Sequence, residues 1–324
     1  MRFTNSSVIV VTPVYEDVEA SSRLFAELST QFNRDVFVVA VDDGSVKQPL
    51  GISSLENANI NGVILKLRRN VGHQRAIAIG LGYVSEYIKP QQCVIVMDSD
   101  GEDLPSTTIN MLDELKSDDV DIVVAQRKSR VESFRFKAFY AVYKLFFSVM
   151  TGREISFGNF MVLKASAVKR LVVMQELSIH VAGAVIASKL RARICPLHRG
   201  PRYAGQSKMN FVGLVLHGFK GLMVFAEDVL VRVGIACALI ATLTILGAIV
   251  AMGLKLFGIA TPGWFSVALG LLFLMLLQTI ALAIMTLMTL MLTGVVRGGT
   301  IATVVAYHDF VESVIESSSS VCST

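Results

Sequence analysis

Cysteine is scarce in this chain. Four occur among 324 residues, Cys93, Cys195, Cys237 and Cys322, all far apart. No C-x-x-C pair and no Cys/His spacing of a zinc site is present, which excludes a local disulfide framework and fits a reducing, cytoplasmic head. Charge is scarce as well, at 17% against 53% hydrophobic residues, an unusual balance for a soluble protein. The shortage is local. No Asp, Glu, Lys or Arg lies between Arg232 and Lys255, nor between Lys255 and Arg297. Each gap exceeds the ~20 apolar residues that cross a bilayer, and two in succession argue against buried helices of a soluble core. A secretory leader is not expected, because the run Val8 to Val11 is too short for an h-region and acids follow it. There is no internal repeat.

The net charge of +4 is modest. Basic residues gather at Arg127 to Lys144 and at Arg191 to Lys208, which suits phosphate ligands or anionic headgroups. No recognition motif accompanies them, so nucleic acid is not expected as a partner.

The stretch that organises the chain is Cys93-Val-Ile-Val-Met-Asp98-Ser-Asp100-Gly-Glu102-Asp-Leu-Pro105. An apolar run that breaks into acids reads as a buried strand whose C-terminal end meets solvent. In open α/β sheets that end is where ligands bind. Asp98, Asp100 and Glu102 alternate, and Gly101 lets the backbone turn. Three hard oxygen ligands suit Mg²⁺ or Mn²⁺ holding a substrate diphosphate. The plain alternative is an acidic, solvated loop.

Other strands are expected at Ser7 to Thr12, Val36 to Val41, Val63 to Leu67 and Ile122 to Ala125. Helices are expected around Leu24 to Leu28, from His73 to Ile88, and around Leu112 and Leu115. This alternation predicts an α/β fold, a mostly parallel, Rossmann-like sheet with helices on both faces. The strand ends carry polar residues on one edge. Asp42 and Asp43 suit either the N–H of a base or the capping of a turn. Tyr15 suits a base or ribose face, or a plain place on the rim.

The set T-P-V-Y-E at Thr12, V-D-D-G-S at Val41, R-N-V-G at Arg69 and M-D-S-D at Met97 resembles the inverting family 2 glycosyltransferases with a GT-A fold. With the two C-terminal spans it resembles in particular the polyprenyl-phosphate glycosyltransferases, the group of dolichol-phosphate mannose synthase and the GtrB-type enzymes. The resemblance covers nearly the whole chain. It implies that Pro13, Tyr15, Glu16, Asp42, Asp43, Asn70, Gly72, Asp98 and Ser99 lie on the nucleotide donor. It implies a metal on Asp98, Asp100 and Glu102, the last standing where the family often has Gln. Arg127, Arg135 and Ser207 would hold the acceptor phosphate, and Asp100, Arg127, Arg202 and Lys208 would carry the reaction. The segment Arg199-Gly-Pro-Arg202-Tyr203-Ala-Gly205-Gln-Ser207-Lys208 resembles a loop that closes over the donor phosphates. Asn159, in Ser156-Phe-Gly158-Asn159-Phe160, stands where many relatives have an acid, which weakens any acid/base role there.

These readings divide the chain into a glycosyltransferase domain at 1–208, a juxtamembrane amphipathic helix at 209–232, spans near 233–257 and 264–296, and a cytoplasmic tail at 297–324. Within the first, Ser133 to Met150 interleaves Phe and Tyr with Arg and Lys and reads as an interface helix. The Lys/Arg excess flanks the hairpin, which places both ends in the cytoplasm. A β-like run at Thr300 to Tyr307 is a candidate for pairing with another subunit, which allows a homo-oligomer; a disordered Ser-rich end follows it. The expected activity is transfer of one sugar, from UDP-hexose by family resemblance, to a polyprenyl phosphate. The alternatives are a non-catalytic sugar-nucleotide-binding scaffold and a processive polysaccharide synthase. The latter usually carries a Q-x-x-R-W motif, which this chain lacks.

Overall fold

The structure, a computed structural model, describes the backbone of residues 6–127, 134–203, 211–299 and 307–317, and the side chains of 6–127, 141–203, 212–292 and 307–317. In chain order the elements are β1 (Val8–Val14), α1 (Val18–Gln31), β2 (Val36–Asp42), α2 (Ser53–Asn57), β3 (Asn61–Leu67), α3 (His73–Tyr87), β4 (Cys93–Val96) and α4 (Thr108–Leu115). Then come β5 (Ile122–Arg127), α5 (Phe134–Thr151), β6 (Met161–Lys164), α6 (Ala165–Val172), α7 (Val181–Ala187), β7 (Ala192–Leu197) and α8 (Phe211–Val224). The chain ends in α9 (Ala226–Leu256), α10 (Trp264–Gly299), α11 (Tyr307–Phe310) and β8 (Val311–Glu316). They form two compact units, one built on the sheet and one on α9 and α10 with the end of α5.

The sheet has eight strands in the order β7-β5-β6-β4-β1-β2-β3-β8. β1 pairs in parallel with β2 and β4, β2 with β3, and β5 with β7. β6 runs antiparallel between β4 and β5, so β5 again points the same way as β4. The β-branched runs are buried on both faces, as strands covered by helices on each side must be. Ile9, Val11, Val39 and Val41 face the core under α3, α6 and α7. Val8, Val10, Val38 and Ala40 face the core over α1, α2 and α4. Side chains alternate between faces along a strand, and this sorts the two cores. Gly80 lets α3 lie close to the sheet, since a Cβ there would stand 2.6 Å from Val11 Cγ1.

The expected mostly parallel α/β sheet is present, and three further strands complete it. β7 contains Pro196 and alternates poorly. It is tolerated because it lies at an edge, where a missing N–H leaves no ladder bond unmade. The tail departs from expectation. Residues 300–306, most of the β-like run, lie outside the described residues. The strand that is described, β8, pairs antiparallel with β3 of its own chain. Tyr307, 3% exposed, packs edge-on to Tyr83 and hydrogen-bonds Glu86. The alternation of Val311-Glu-Ser-Val-Ile-Glu316 caps the β3 edge instead of leaving it bare.

The helix boundary before the hairpin also differs. The amphipathic helix expected at 209–232 ends at Val224, and α9 then runs 31 residues from Ala226 without a break. Glu227 and Asp228 in its first turn favour initiation there. Asp228 pairs with Arg153 at 3.5 Å, and Arg232 donates to the Val149 carbonyl at 2.8 Å, so these charges are used inside their own unit. α9 and the stretch Trp264–Leu292 of α10 each contain an 18-residue window of mean hydropathy 2.5 and are long and apolar enough to cross a membrane. Within them Thr244, Thr279 and Thr286 donate back to the carbonyls of Ile240, Met275 and Leu282.

Candidate active site

The carboxyl ends of β1 to β5 deliver nearly every residue singled out above to one edge of the sheet. The two ambiguous acids resolve first. Asp42, 2% exposed, accepts from the N–H groups of Ser45 and Leu50, both at 3.0 Å. Asp43, 3% exposed, accepts from Val71 at 2.7 Å and Gly72 at 3.0 Å. Both shape turns, the second of two uses open to them, because burial leaves backbone donors as their partners. Burial pushes the Asp43 carboxyl up even though Val71 and Gly72 oppose it. Glu16 is likewise occupied, accepting from Val46, Lys47 and Gln48. These donors hold its carboxyl below the usual range. Ser99 donates to the Pro13 carbonyl at 3.2 Å, joining the ends of β4 and β1. Tyr15 and Asn70 are exposed on the rim, and Gly72, at φ 88°, opens α3.

The acidic stretch does not assemble as three carboxylates around one point. Among the described residues, no three His, Cys, Asp or Glu side chains are placed to hold one metal ion. Glu102 faces arginines instead. Its Oε2 takes hydrogen bonds from Arg127 Nη2 at 3.1 Å and from Arg199 Nη1, and its Oε1 takes one from Arg202 Nε at 2.9 Å. Three guanidiniums outweigh the neighbouring like charges and hold the carboxylate by charge-assisted hydrogen bonds. Arg202 also pairs through Nη2 with Asp100 Oδ2 at 2.8 Å.

Asp98 faces the first turn of α3, with its Oδ1 3.2 Å from His73 Nε2. The same nitrogen lies 3.0 Å from Asn159 Nδ2. Burial pushes Asp98 up, but His73 and the arginines outweigh it and hold the carboxyl below its usual range. His73 is raised in turn: burial opposes the charge, and Asp98 more than compensates. Asp100 is pushed up by burial and by Asp98.

Four participants were not assigned from sequence. Asp103, 2% exposed, accepts from the Asp98 N–H at 3.0 Å and is raised to about 7 by burial and by Asp98. His73 and Arg199 complete the ionic framework. Tyr203 donates from its N–H to the Asp100 carbonyl at 2.9 Å, and its hydroxyl bonds Glu27. Its ring would collide with any Cβ at Gly101, whose φ is 89°. Asp103 was legible as a fourth acid in the stretch, and Arg199 and Tyr203 lie in the basic segment singled out above; His73 carries no local signal. Ser207 and Lys208, and the side chain of Arg135, lie outside the described residues.

Residual valence tests the fit of a divalent cation. Asp98 Oδ1 and Asp103 Oδ1 are buried and lack a well-formed hydrogen bond. Such oxygens normally have a partner. Hard carboxylate donors with spare lone pairs fit Mg²⁺ or Mn²⁺, with fewer protein ligands than the three expected.

Residues 9–167 match the family model described as Glycosyl transferase family 2. An uncharacterized glycosyltransferase of Synechocystis is 27% identical over 85% of this chain and 87% of its own. A prophage bactoprenol glucosyl transferase homolog of Escherichia coli is 26% identical over 86% of this chain and 92% of its own. Among solved structures, glucosyl-3-phosphoglycerate synthase from Mycobacterium tuberculosis is 14% identical over 71% of this chain and 80% of that one. The TM-score is 0.46.

Proposed function

We propose that this chain, whose residues 9–167 match the model of glycosyl transferase family 2, moves a sugar from a nucleoside diphosphate donor, UDP-hexose, to a polyprenyl phosphate at the cytoplasmic membrane face. The observation that carries this reading is the meeting of Asp98 and Asp100 with Arg127, Arg199 and Arg202 at one sheet edge. Such a set holds a metal–diphosphate and a second phosphate together. The relative described as a bactoprenol glucosyl transferase homolog supports a lipid acceptor. So do α9 and α10, each long enough to span. Because β8 rejoins the sheet beside β3, the chain on either side of the hairpin shares one unit. An even number of crossings satisfies this.

In this reading Asp98 and Asp100 would hold Mg²⁺ or Mn²⁺, which when bound would supply positive charge to the departing nucleoside diphosphate. Arg127 orients the acceptor phosphate, and Arg199 and Arg202 hold the donor side, since a guanidinium fork matches phosphate oxygens. A phosphate monoester is already ionised at neutral pH, so the acceptor needs no general base, and Asn159 in place of an acid is compatible with the chemistry. Attack opposite the leaving group inverts the anomeric centre. Catalysis then rests on positioning and electrostatics.

The test is a donor screen. Purified protein in detergent is given polyprenyl phosphate, Mn²⁺ or Mg²⁺, and UDP-, GDP- or dTDP-sugars, and lipid-linked product is sought by mass. One productive donor is expected. Nucleotide binding without product from any donor would favour the scaffold.

A further inference from the structure

Glu102 stands among the arginines of the site. One carboxylate takes three guanidiniums through both of its oxygens, from Arg127 at the end of β5 and from Arg199 and Arg202 beyond β7. The backbone draws the same segments together. The Gly200 N–H donates to the Glu102 carbonyl at 3.0 Å, and the Tyr203 N–H to the Asp100 carbonyl at 2.9 Å. Arg199 also lies 3.8 Å from Asp103. Burial works against the Arg199 charge, yet Asp103, Asp98 and Glu102 together raise its pKa. The guanidiniums are therefore held in place before any ligand arrives.

A carboxylate that receives several arginines presents the same chemistry as a phosphate: two anionic oxygens in a plane, met by N–H forks. We propose that Glu102 is an internal stand-in for a phosphate group, which keeps Arg127, Arg199 and Arg202 gathered and must be displaced when a diphosphate binds. The proposal rests on the reading of this edge as a phosphate site. It departs from the metal role implied for this position by family resemblance. One carboxylate cannot serve three arginines and yield them to a ligand at the same time. Glu102 therefore lowers the affinity of the site for phosphate and couples ligand entry to release of the 199–203 segment.

The experiment is titration of the full chain in detergent with inorganic pyrophosphate, in EDTA, by calorimetry. No turnover and no metal is involved, so its outcome is separate from that of the donor screen. E102Q removes the competing charge and is expected to bind pyrophosphate about tenfold more tightly, within the range of ordinary site coupling. E102D keeps the charge but is one methylene too short to span all three guanidiniums, and is expected to tighten binding as well. D113N, which removes an exposed acid paired with Lys116, is expected to change nothing. Unchanged or weaker binding by E102Q would overturn the proposal, and so would a gain in D113N equal to that in E102Q. A gain confined to E102Q, absent from E102D, would reduce the effect to net charge and overturn the stand-in.

Discussion

Asp100 is the residue with the most demands on it. Its Oδ1 accepts from the Glu102 N–H at 3.0 Å, its Oδ2 meets Arg202, and its carbonyl receives Tyr203. Asp100→Ala should reduce transfer by about 10²–10³-fold, the usual scale for losing one preorganised electrostatic group. The protein should remain folded, with its melting profile in detergent as the control; substantial residual turnover would remove Asp100 from the metal site. Arg127 reaches the cluster from β5, whereas Arg199 and Arg202 come from the segment after β7. Arg127→Ala should therefore raise the KM for lipid phosphate more than it weakens nucleotide binding. Equal losses in separate titrations would move Arg127 to the donor side. At this scale, residue type and spacing identified the acids but not their uses. Asp42 and Asp43 suited either a base contact or the capping of a turn, and their carboxylates, like that of Glu16, accept from backbone N–H groups. A strand-end acid serves either purpose, and only burial distinguishes them.

Among the elements, α7 and α8 meet through an unusual contact. His180 caps α7 by accepting from the Gly183 N–H through Nδ1, and its Nε2 lies 3.2 Å from His217 Nε2 on α8. Burial, then His217, lowers His180 to about 3, and Lys220 adds to the effect. His217 is lowered too, by burial, His73 and Lys220. The sign follows: below the ordinary histidine pKa of 6.5 the unfolded chain takes up protons that the folded one refuses. Stability should then fall as pH drops through that value toward 3, by at most about 1.4 kcal/mol per pH unit for each withheld proton. Asn is a good N-cap and does not titrate, so His180→Asn should flatten the acid arm of melting midpoint against pH. An acid arm identical to the wild type would show that the pair does not govern it.

For the whole molecule, the decisive feature is the return of the tail to the sheet. Tyr307 is buried against α3 and Tyr83, and β8 closes the β3 edge. Tyr307→Ala should destabilise the sheet unit by about 3–5 kcal/mol, the range for deleting a buried aromatic ring. It should also expose residues 311–316 to protease, read by the time course of cleavage. A tail that stays protected in the variant would mean that β8 holds without this anchor.

The parallel sheet, its functional edge and the paired apolar helices were all legible in the chain. Each is written locally, as β-branched runs ending in polar residues or as stretches without charge, and burial acts on those patterns directly. The partners of the acids were not legible. Glu102 lies 25, 97 and 100 positions from the arginines that hold it, and Gly62 of β3 is 255 positions from Ser317, its partner just past β8. Short-range pattern carries no information about contacts at that separation. Loop geometry and the competition among charges chose them, and in doing so turned an apparent metal ligand toward a cradle of arginines.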